Sequence, residues 1–392
     1  MSLSNEPRNK PIEDWTDSDL QVLVDTGRAE QRDVEYKQSM PSRTDRDRRE
    51  TGADMSSFGN SSGGLLIYGI EAKDGIPQHV VGLDEPADPF VLWLDQIAQT
   101  IVEPRLPGLR MQSISTADGK HCVVVRVPMS WNKPHAVKVN DALRFYSRNS
   151  AGKYLLDLRE VRELFTGSEL ARERLTRFRA DRVMSIESGD TPVPLVERPK
   201  VVLHLVPLQA FTGGLSVEVR EFQWRSRVGQ LQTIAGGFDG WRYNLDGLVT
   251  YLGEGEGRVT SYVQVFRNGV IEAADSYSVV GRLGPDDVIP SKTFEQKVLD
   301  AVPPLMEALR FMKVEPPVML MLSLVGVKGI RMGLARGTSD PIDRDVLLIP
   351  EALVEAYPDD PAPLMHPLID VVWNACGLER SPNFDIEGNY FR

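Results

Sequence analysis

The stretch GLLIYGI, residues 64 to 70, limits the possible folds of this chain more than any other segment. Its residues are almost all apolar, and they lack the alternation that marks a strand exposed on one face. Such a run is typical of a strand that is buried on both faces of a sheet. The residues NSSGG, 60 to 64, lead into it and share its first glycine, and Asn and Gly tolerate the left-handed backbone found where helices end. The sequence therefore predicts a helix that ends at NSSGG, followed directly by a buried strand.

The segments around this strand predict an α+β domain with a mixed sheet. The pattern DWTDSDLQVLV predicts a short opening helix, VEYKQS a strand, and SRTDRDRRETGADMSSFGN a helix. A helix at about 87 to 102 follows, then three strand-like runs, and then a helix that begins at LLDLREVRELF with a break near Thr166 and Gly167. The resulting order, β-α-β-α-β-β-β-α, places strands and helices in one sheet-based domain.

The length of 392 residues favours two domains, because a single core seldom grows that large. The proline-rich stretch GDTPVPLVERPK, residues 189 to 200, has no apolar period and is interpreted as a linker. The second half is again apolar and strand-rich, which predicts a second α+β domain with a role in sensing, partner binding or oligomerisation. The predicted boundaries are an N-terminal helical segment at 1–27, the first domain at 28–167, a helix and linker at 168–200, and the second domain at 201–392.

Several protein classes are disfavoured by composition. No window approaches the roughly 18 uninterrupted apolar residues of a membrane span, and the N-terminus lacks the apolar core of a secretory signal. The two cysteines, Cys122 and Cys376, stand far apart, which argues against a thiolate zinc site and suits a reducing compartment. We therefore expect a cytoplasmic protein that has no membrane partner.

Charge is distributed unevenly along the chain. The net charge is −11, and most of the acidity belongs to the C-terminal half. Basic residues cluster within RTDRDRR, at residues 43 to 49, and again between Lys133 and Arg148. The sequence therefore allows a local basic groove in the first half. The arginines of RTDRDRR alternate with acidic residues, and a solvated helix with ion pairs along it explains that pattern at least as well.

Carboxylates accumulate near the predicted strand VEYK and near the end of GLLIYGI. Strand side chains alternate, so Glu35 and Lys37 are neighbours on one face, with Glu30 one short loop before them. Glu71 and Asp74 follow the buried strand. Carboxylate clusters without His or Cys favour Mg²⁺ or Mn²⁺, which activate water at a phosphodiester. A Glu-x-Lys strand by itself is better explained as a solvated surface strand.

The motifs taken together resemble the Schlafen-type Alba-like domain. The resemblance rests on EQRDVEYK, RRETGADMSSFGNSSGGLLIYGIE, GIPQHVVGL, VVVRVPMSWNKPHAV and FYSRN, in that order, and it covers roughly residues 28 to 167. The phosphate-binding motif GxxxxGK[ST] is absent from the sequence, which argues against a P-loop ATPase.

The resemblance implies a sheet-based nucleic-acid-binding domain and, in active members, a metal-dependent ribonuclease that acts on transfer and ribosomal RNA. It implies that Glu30 and Glu35 hold Mg²⁺ or Mn²⁺, that Asp74 or Glu71 completes the site, and that Lys37 lies near the scissile phosphate. It also implies antiviral defence or toxin-like growth arrest, with a homodimer supplying the second lobe that larger members carry in one chain. The residues expected to contact RNA or single-stranded nucleic acid are Arg43, Arg46, Arg49, Lys133, His135 and Arg148.

Two other functions stay open. An incomplete third carboxylate would favour a non-catalytic nucleic-acid-binding regulator, and the Gly-rich turn weakly allows a nucleotide-binding signalling module. In the second half, Trp224, Trp241 and Tyr243 are interpreted as aromatic core, with base stacking as the less favoured alternative.

Overall fold

The computed structural model describes residues 12–30, 32–212, 215–220, 231–255, 257–279, 288–385 and 387–391. The chain divides into two compact units, Met1–Arg172 and Glu173–Arg392. Each unit combines helices with sheets, so the predicted α+β class is confirmed. None of the helices within these described ranges has both the length and the apolar run that a bilayer crossing requires.

Within residues 12–30 and 32–172, the first unit contains ten strands, three helices and the first half of a fourth helix. After a 3-10 turn at Ile12–Asp14, its helices are α1 (Asp17–Asp25), α2 (Asp45–Asn60), α3 (Ala87–Thr100) and α4 (Leu158–Glu187). Its strands are β1 (Val34–Lys37), β2 (Gly64–Tyr68), β3 (Ile70–Lys73), β4 (Ile76–Val80), β5 (Val102–Glu103), β6 (Arg110–Ser115), β7 (His121–Val127), β8 (Ala136–Val139), β9 (Ala142–Asn149) and β10 (Gly152–Leu155).

Strand β2 lies inside a four-stranded sheet of order β1-β2-β7-β6, in which β1 and β2 are parallel. Leu66 packs on one face of this sheet with α2 and α3, and Ile67 packs on the other face with α1. Burial on both faces confirms the prediction made from GLLIYGI. The strand ends earlier than that pattern, because Gly69 has a φ of +100° and separates β2 from β3. A second sheet has the order β10-β9-β8-β5, and β3 pairs with β4 in a hairpin.

Helix α2 carries charges at its start and buried side chains toward its end. Thr44 and Asp47 form a capping box at its N-terminus, which satisfies amide groups that have no partner within the helix. Every residue from Thr51 to Asn60 is buried. Gly63, with a φ of +75°, turns the chain after the helix, where a Cβ would lie 2.6 Å from the amide nitrogen of Met129. The Gly residues of NSSGG are therefore required by backbone conformation and close packing.

The second unit contains one large sheet covered by helices. Its helices are the second half of α4, α5 (Gln209–Thr212), α6 (Ser291–Phe311) and α7 (Ala362–Ala375). Its strands are β11 (Lys200–Pro207), β12 (Gly240–Tyr243), β13 (Gly247–Gly255), β14 (Arg258–Phe266), β15 (Ile271–Asp275), β16 (Val288–Ile289), β17 (Val318–Val325), β18 (Arg331–Gly333), β19 (Thr338–Pro341), β20 (Val346–Leu348) and β21 (Ala352–Val354). The large sheet runs β12-β13-β14-β15-β11-β17-β20, with β21 also paired to β17. Helices α6 and α7 cover one face, and the end of α4 covers part of the other.

The predicted break near Thr166 and Gly167 is wrong, and two prolines in the second unit do not interrupt their helix either. Helix α4 continues through Thr166 and Gly167, and α6 continues through Pro303 and Pro304. The prolines remove two amide donors, yet Val302 beside them is fully buried in the core. Burial of this apolar face offsets the lost hydrogen bonds, a case of packing overriding local propensity.

Candidate functional site

Glu35 and Lys37 lie side by side on β1, as their spacing predicts. The Lys37 Nζ lies 2.5 Å from the Glu35 Oε1, and both side chains are half-buried, while Val34 and Tyr36 point into the core. An isolated Glu-x-Lys motif is expected to lie on a solvated surface strand. Strand β1 differs from this expectation, because both charged side chains are half-buried.

The two residues belong to a larger group of charges, which we call the ion-pair cluster. The Glu35 Oε2 accepts a short hydrogen bond from Arg148 on β9, whose guanidinium lies 4.2 Å from the centre of the Phe58 ring. Lys37 also approaches Asp54 on α2, at 3.6 Å, and the Asp54 Oδ1 lies 2.7 Å from the Lys153 Nζ. The cluster consists of Glu35, Lys37, Glu50, Asp54, Arg148 and Lys153. It contains three acidic and three basic groups, and it joins β1, α2, β9 and β10.

Burial and charge act against each other within the ion-pair cluster. Burial by itself would raise the pKa of Glu35, but Arg148 and Lys37 outweigh it and hold that pKa below its usual value. Burial would likewise lower the pKa of Lys37 and of Lys153, yet the carboxylate of Asp54 raises both. Burial raises the pKa of Asp54 itself, and the two ammonium groups oppose this shift. Glu35 and both lysines are therefore charged at neutral pH.

Glu30 connects the strand of Glu35 with the turn that carries Asp74. Its Oε1 accepts a hydrogen bond of 2.8 Å from the amide of Tyr36, directly after Glu35. Its own amide donates to the carbonyl of Gly75, directly after Asp74, over 2.5 Å. The backbone thus brings Glu30, Glu35 and Asp74, three of the four predicted metal ligands, into one neighbourhood.

Asp74 and Glu71 have structural roles in the β3–β4 hairpin. Asp74 and Gly75 both have positive φ, +53° and +74°, which makes them the central pair of a type I′ turn. Asp-Gly is a preferred sequence for that turn, so the position of Asp74 has an explanation independent of any ligand. Glu71 lies on β3 opposite His79 and is half-buried.

The side chains as arranged do not fit the predicted Mg²⁺ or Mn²⁺ site. A shared ion requires an oxygen of each carboxylate at about 2.0–2.6 Å from one point. Each oxygen of Glu35 already contacts a cation, either Lys37 or Arg148, whose positive charge opposes a metal ion, and the Oε1 of Glu30 accepts a hydrogen bond from an amide. Across the described ranges, no group of three or more His, Cys, Asp or Glu side chains is placed to hold a metal ion. The metal site stays a prediction.

The predicted nucleic-acid contacts on α2 and before it are on the surface. Arg43 is exposed, with a φ of +62°, and lies 3.6 Å from Glu85. Arg46 is exposed, and Arg49 donates to the Oδ1 of Asn140 over 2.7 Å. In the described part of the chain, none of these arginines forms the ion pair along the helix that their spacing allowed. They remain available to a phosphate, and their role stays a prediction.

The other three predicted contacts have different environments. His135 is fully buried, its Nδ1 lies 2.7 Å from the Pro104 carbonyl, and burial lowers its pKa to about 4. A phosphate has no access to this side chain, so the structure argues against the contact predicted for His135. The side chain of Arg148 is only 2% exposed, and its guanidinium forms an ion pair with Glu35. Lys133 is half-buried, and its Nζ donates to the carbonyl of Ser61 over 2.7 Å.

Sequence reasoning did not identify Asp54, Glu50 and Lys153 as members of this site. Asp54 is 2% exposed although it lies in a helix pattern that begins with charged residues. Its partner Lys153 is 99 positions away in the chain. One signal was present: an Asp between Ala53 and Met55, in the apolar half of a helix, requires a buried cationic partner.

The second unit has a buried charged group of its own. Glu272 is fully buried and receives two hydrogen bonds of 2.8 Å from Arg182 on α4. His204 Nε2 and the Tyr262 hydroxyl each lie 2.8 Å from its carboxylate oxygens. Burial would raise the pKa of Glu272, but these hydrogen bonds lower it to about 2. The group fixes the second half of α4 on the sheet.

The aromatic core expected in the second half is wrong for two of its residues. Trp241 and Tyr243 on the edge strand β12 are 38% and 39% exposed, and their rings meet edge to face at 5.7 Å. Trp224 lies outside the described residues.

The family comparison agrees with the motifs. Residues 30–157 match the family model Schlafen, AlbA_2. The recognition of a Schlafen-type domain in this part of the chain is therefore confirmed, and it indicates a function related to nucleic acid. No curated protein matches the chain.

Two solved structures overlap the chain in part. One is the DIP2311 protein from Corynebacterium diphtheriae, with 15% identity, a TM-score of 0.26, and coverage of 35% of this chain and 29% of that one. The other is the N-terminal domain of an ATP-dependent DNA helicase RecG-related protein from Nitrosomonas europaea, with 20% identity, a TM-score of 0.25, and coverage of 34% and 88%. This chain thus spans less than a third of the DIP2311 protein, and similarity at this level supports no conclusion about function.

Proposed function

We propose that the N-terminal unit binds nucleic acid through its phosphate backbone, and that its target is RNA. The match of residues 30–157 to the Schlafen, AlbA_2 family supports nucleic acid as the partner. The choice of RNA, with transfer RNA as the first candidate, follows from the resemblance of EQRDVEYK and GNSSGG to Schlafen proteins that act on RNA.

One observation favours binding over cleavage. Glu35, the carboxylate on which the predicted metal site depends, is paired with Lys37 and with the buried guanidinium of Arg148. A metal ion at Glu35 would be repelled by these two cations, and separating Arg148 from Glu35 would leave a buried charge without its partner. We therefore assign Glu35 the role of holding these two cations in place.

A metal-dependent ribonuclease is the second candidate, in defence or growth arrest as the family resemblance implies. The position of Glu30, bonded to the strand of Glu35 and to the turn of Asp74, favours it. In that function Glu30, Glu35 and Asp74 or Glu71 would hold Mg²⁺ or Mn²⁺, with Lys37 nearby.

A single set of assays separates the candidates. The full chain is incubated with labelled total tRNA in EDTA, in Mg²⁺ and in Mn²⁺, and both binding and cleavage are measured. Glu35→Gln is compared with Glu163→Gln, an exposed residue on α4 whose ion pair to Arg159 is 2.9 Å long. Circular dichroism of each variant checks that it is folded.

The proposal expects tRNA binding in EDTA and no metal-dependent cleavage. Cleavage that needs Mn²⁺ or Mg²⁺, and that Glu35→Gln loses while Glu163→Gln keeps, would establish the nuclease instead. Thermal stabilisation by ATP without any RNA binding would support the nucleotide-binding module.

The predicted homodimer and cytoplasmic location accompany this proposal. Light scattering on the eluting full chain gives the oligomeric state directly. The two cysteines, Cys122 and Cys376, are buried free thiols, which supports a reducing compartment.

A further inference from the structure

Lys133 differs from the other half-buried lysines near the predicted site. Lys37 contacts Glu35 and Asp54, and Lys153 contacts Glu50 and Asp54. Lys133 has no carboxylate partner among the described residues, and its Nζ is bonded to the Ser61 carbonyl. A cation that is partly removed from water without a counter-ion is costly unless an anion joins it.

A second cation without an ion pair among the described residues lies at the same end of strands β1 and β2, because the Asp33 carbonyl next to Arg32 accepts a hydrogen bond of 3.0 Å from the Leu65 amide, four residues after the Ser61 that Lys133 contacts. Arg32 is exposed, directly before β1, and the described residues offer its guanidinium no ion pair. Burial, and after it the positive charge of Arg32, lower the pKa of Lys133 to about 8. Two cations that repel each other, and that form no ion pair within the described ranges, create a local attraction for an anion.

The backbone around Lys133 is held from three directions. Asn60 bonds both backbone groups of His135, at 2.8 Å and 2.7 Å. The Ser168 hydroxyl on α4 donates to the carbonyl of Lys133 over 2.9 Å. Gly63 packs against Met129 so closely that a Cβ has no room. The loop of residues 128–135 is therefore fixed before any ligand arrives, which lowers the entropic cost of binding.

We propose that Arg32 and Lys133 form a phosphate-binding site that holds one backbone phosphate of the nucleic acid. The inference rests on the proposed function and adds its point of contact. Guanidinium groups bind phosphate oxygens through two parallel hydrogen bonds, and lysine adds a compact positive charge. This site lies at the N-terminal ends of the parallel strands β1 and β2, close to the turn after α2, and it uses none of the arginines of α2.

The test compares full-length variants in fluorescence anisotropy with a labelled tRNA at several salt concentrations. Arg32→Ala and Lys133→Met are each expected to weaken binding about tenfold, the loss of one charged hydrogen bond. Each should also reduce the slope of log affinity against log salt by roughly 0.7 to 1. Lys133→Arg keeps the charge and is expected to stay within about threefold of the wild type, which separates lost charge from misfolding.

The matched control is Arg162→Ala, since Arg162 is an exposed arginine of α4 for which the described residues offer no ion pair. Binding by Arg32→Ala equal to that of Arg162→Ala, with the salt slope unchanged, would overturn the proposal.

A second measurement tests the phosphate-binding site even if the protein does not bind tRNA. The pKa of Lys133 is followed by NMR with pyrophosphate, with ATP and without ligand. A rise with pyrophosphate in a protein that binds no tRNA would refute the proposed function and keep a phosphate site for small ligands. No rise, together with no effect of Arg32→Ala, would refute the site itself.

Discussion

Replacing Asp54 by Asn tests whether the ion-pair cluster stabilises the first unit. Asp54 is 2% exposed, and its carboxylate lies 2.7 Å from Lys153 and 3.6 Å from Lys37. Removing one partner of a buried ion pair commonly costs about 3–5 kcal/mol. Here each lysine keeps a second carboxylate, Glu50 or Glu35, so we expect a smaller loss, about 2–3 kcal/mol. For a unit of this size that loss corresponds to about 5–10 °C in the melting temperature.

Calorimetry of the full chain measures the loss, and hydrogen exchange of α2 peptides assigns it to the first unit. The control is Asp45→Asn, the same chemical change at an exposed position of the same helix, with an expected cost of about 0.5 kcal/mol. A double variant with Lys153→Met should lose less than the sum of the single losses, because the two residues are coupled. Equal melting temperatures for Asp54→Asn and Asp45→Asn would refute the reasoning.

Two further predictions concern backbone conformation and acid stability. Gly63→Ala places a Cβ at a φ of +75° and 2.6 Å from the Met129 amide, so we expect a loss of about 2 kcal/mol or more and faster hydrogen exchange in residues 128–135. Unchanged exchange there would contradict it. The pKa of Glu272 is about 2 in the folded protein, below its ordinary value near 4.5. Its bonds to Arg182 and His204 therefore add stability above pH 4.5 that is lost as the pH falls toward 2, about 3 kcal/mol in all. Urea unfolding between pH 2.5 and 6 should show a steeper loss of stability with falling pH in the wild type than in Glu272→Gln, and equal slopes would contradict it.

Local sequence patterns were sufficient to predict some structural features of the first unit. GLLIYGI predicts the doubly buried strand because an apolar run needs no distant partner to be recognised. The side-by-side position of Glu35 and Lys37 follows from strand geometry alone, and their contact at 2.5 Å agrees with it.

Other features depend on distant contacts and could not be predicted. Asp54 meets Lys153 only after β9 and β10 fold onto α2. His135 sits in the polar stretch WNKPH, yet it is fully buried because its backbone pairs with Asn60. Asp74 resembles a ligand by sequence position, whereas its positive φ identifies it as a hairpin turn residue.

Net charge and local charge make different predictions for nucleic-acid binding by this chain. At −11 the protein as a whole repels a polyanion. At physiological salt, however, interactions between exposed charges are screened beyond about 8 Å. The three cations of the ion-pair cluster are already neutralised by its three carboxylates, so they add little net attraction for a polyanion. If the first unit binds a phosphate as we propose, its affinity comes from the few cations without acidic partners, which favours Arg32 and Lys133 over the better-paired Lys37 and Lys153 as contacts.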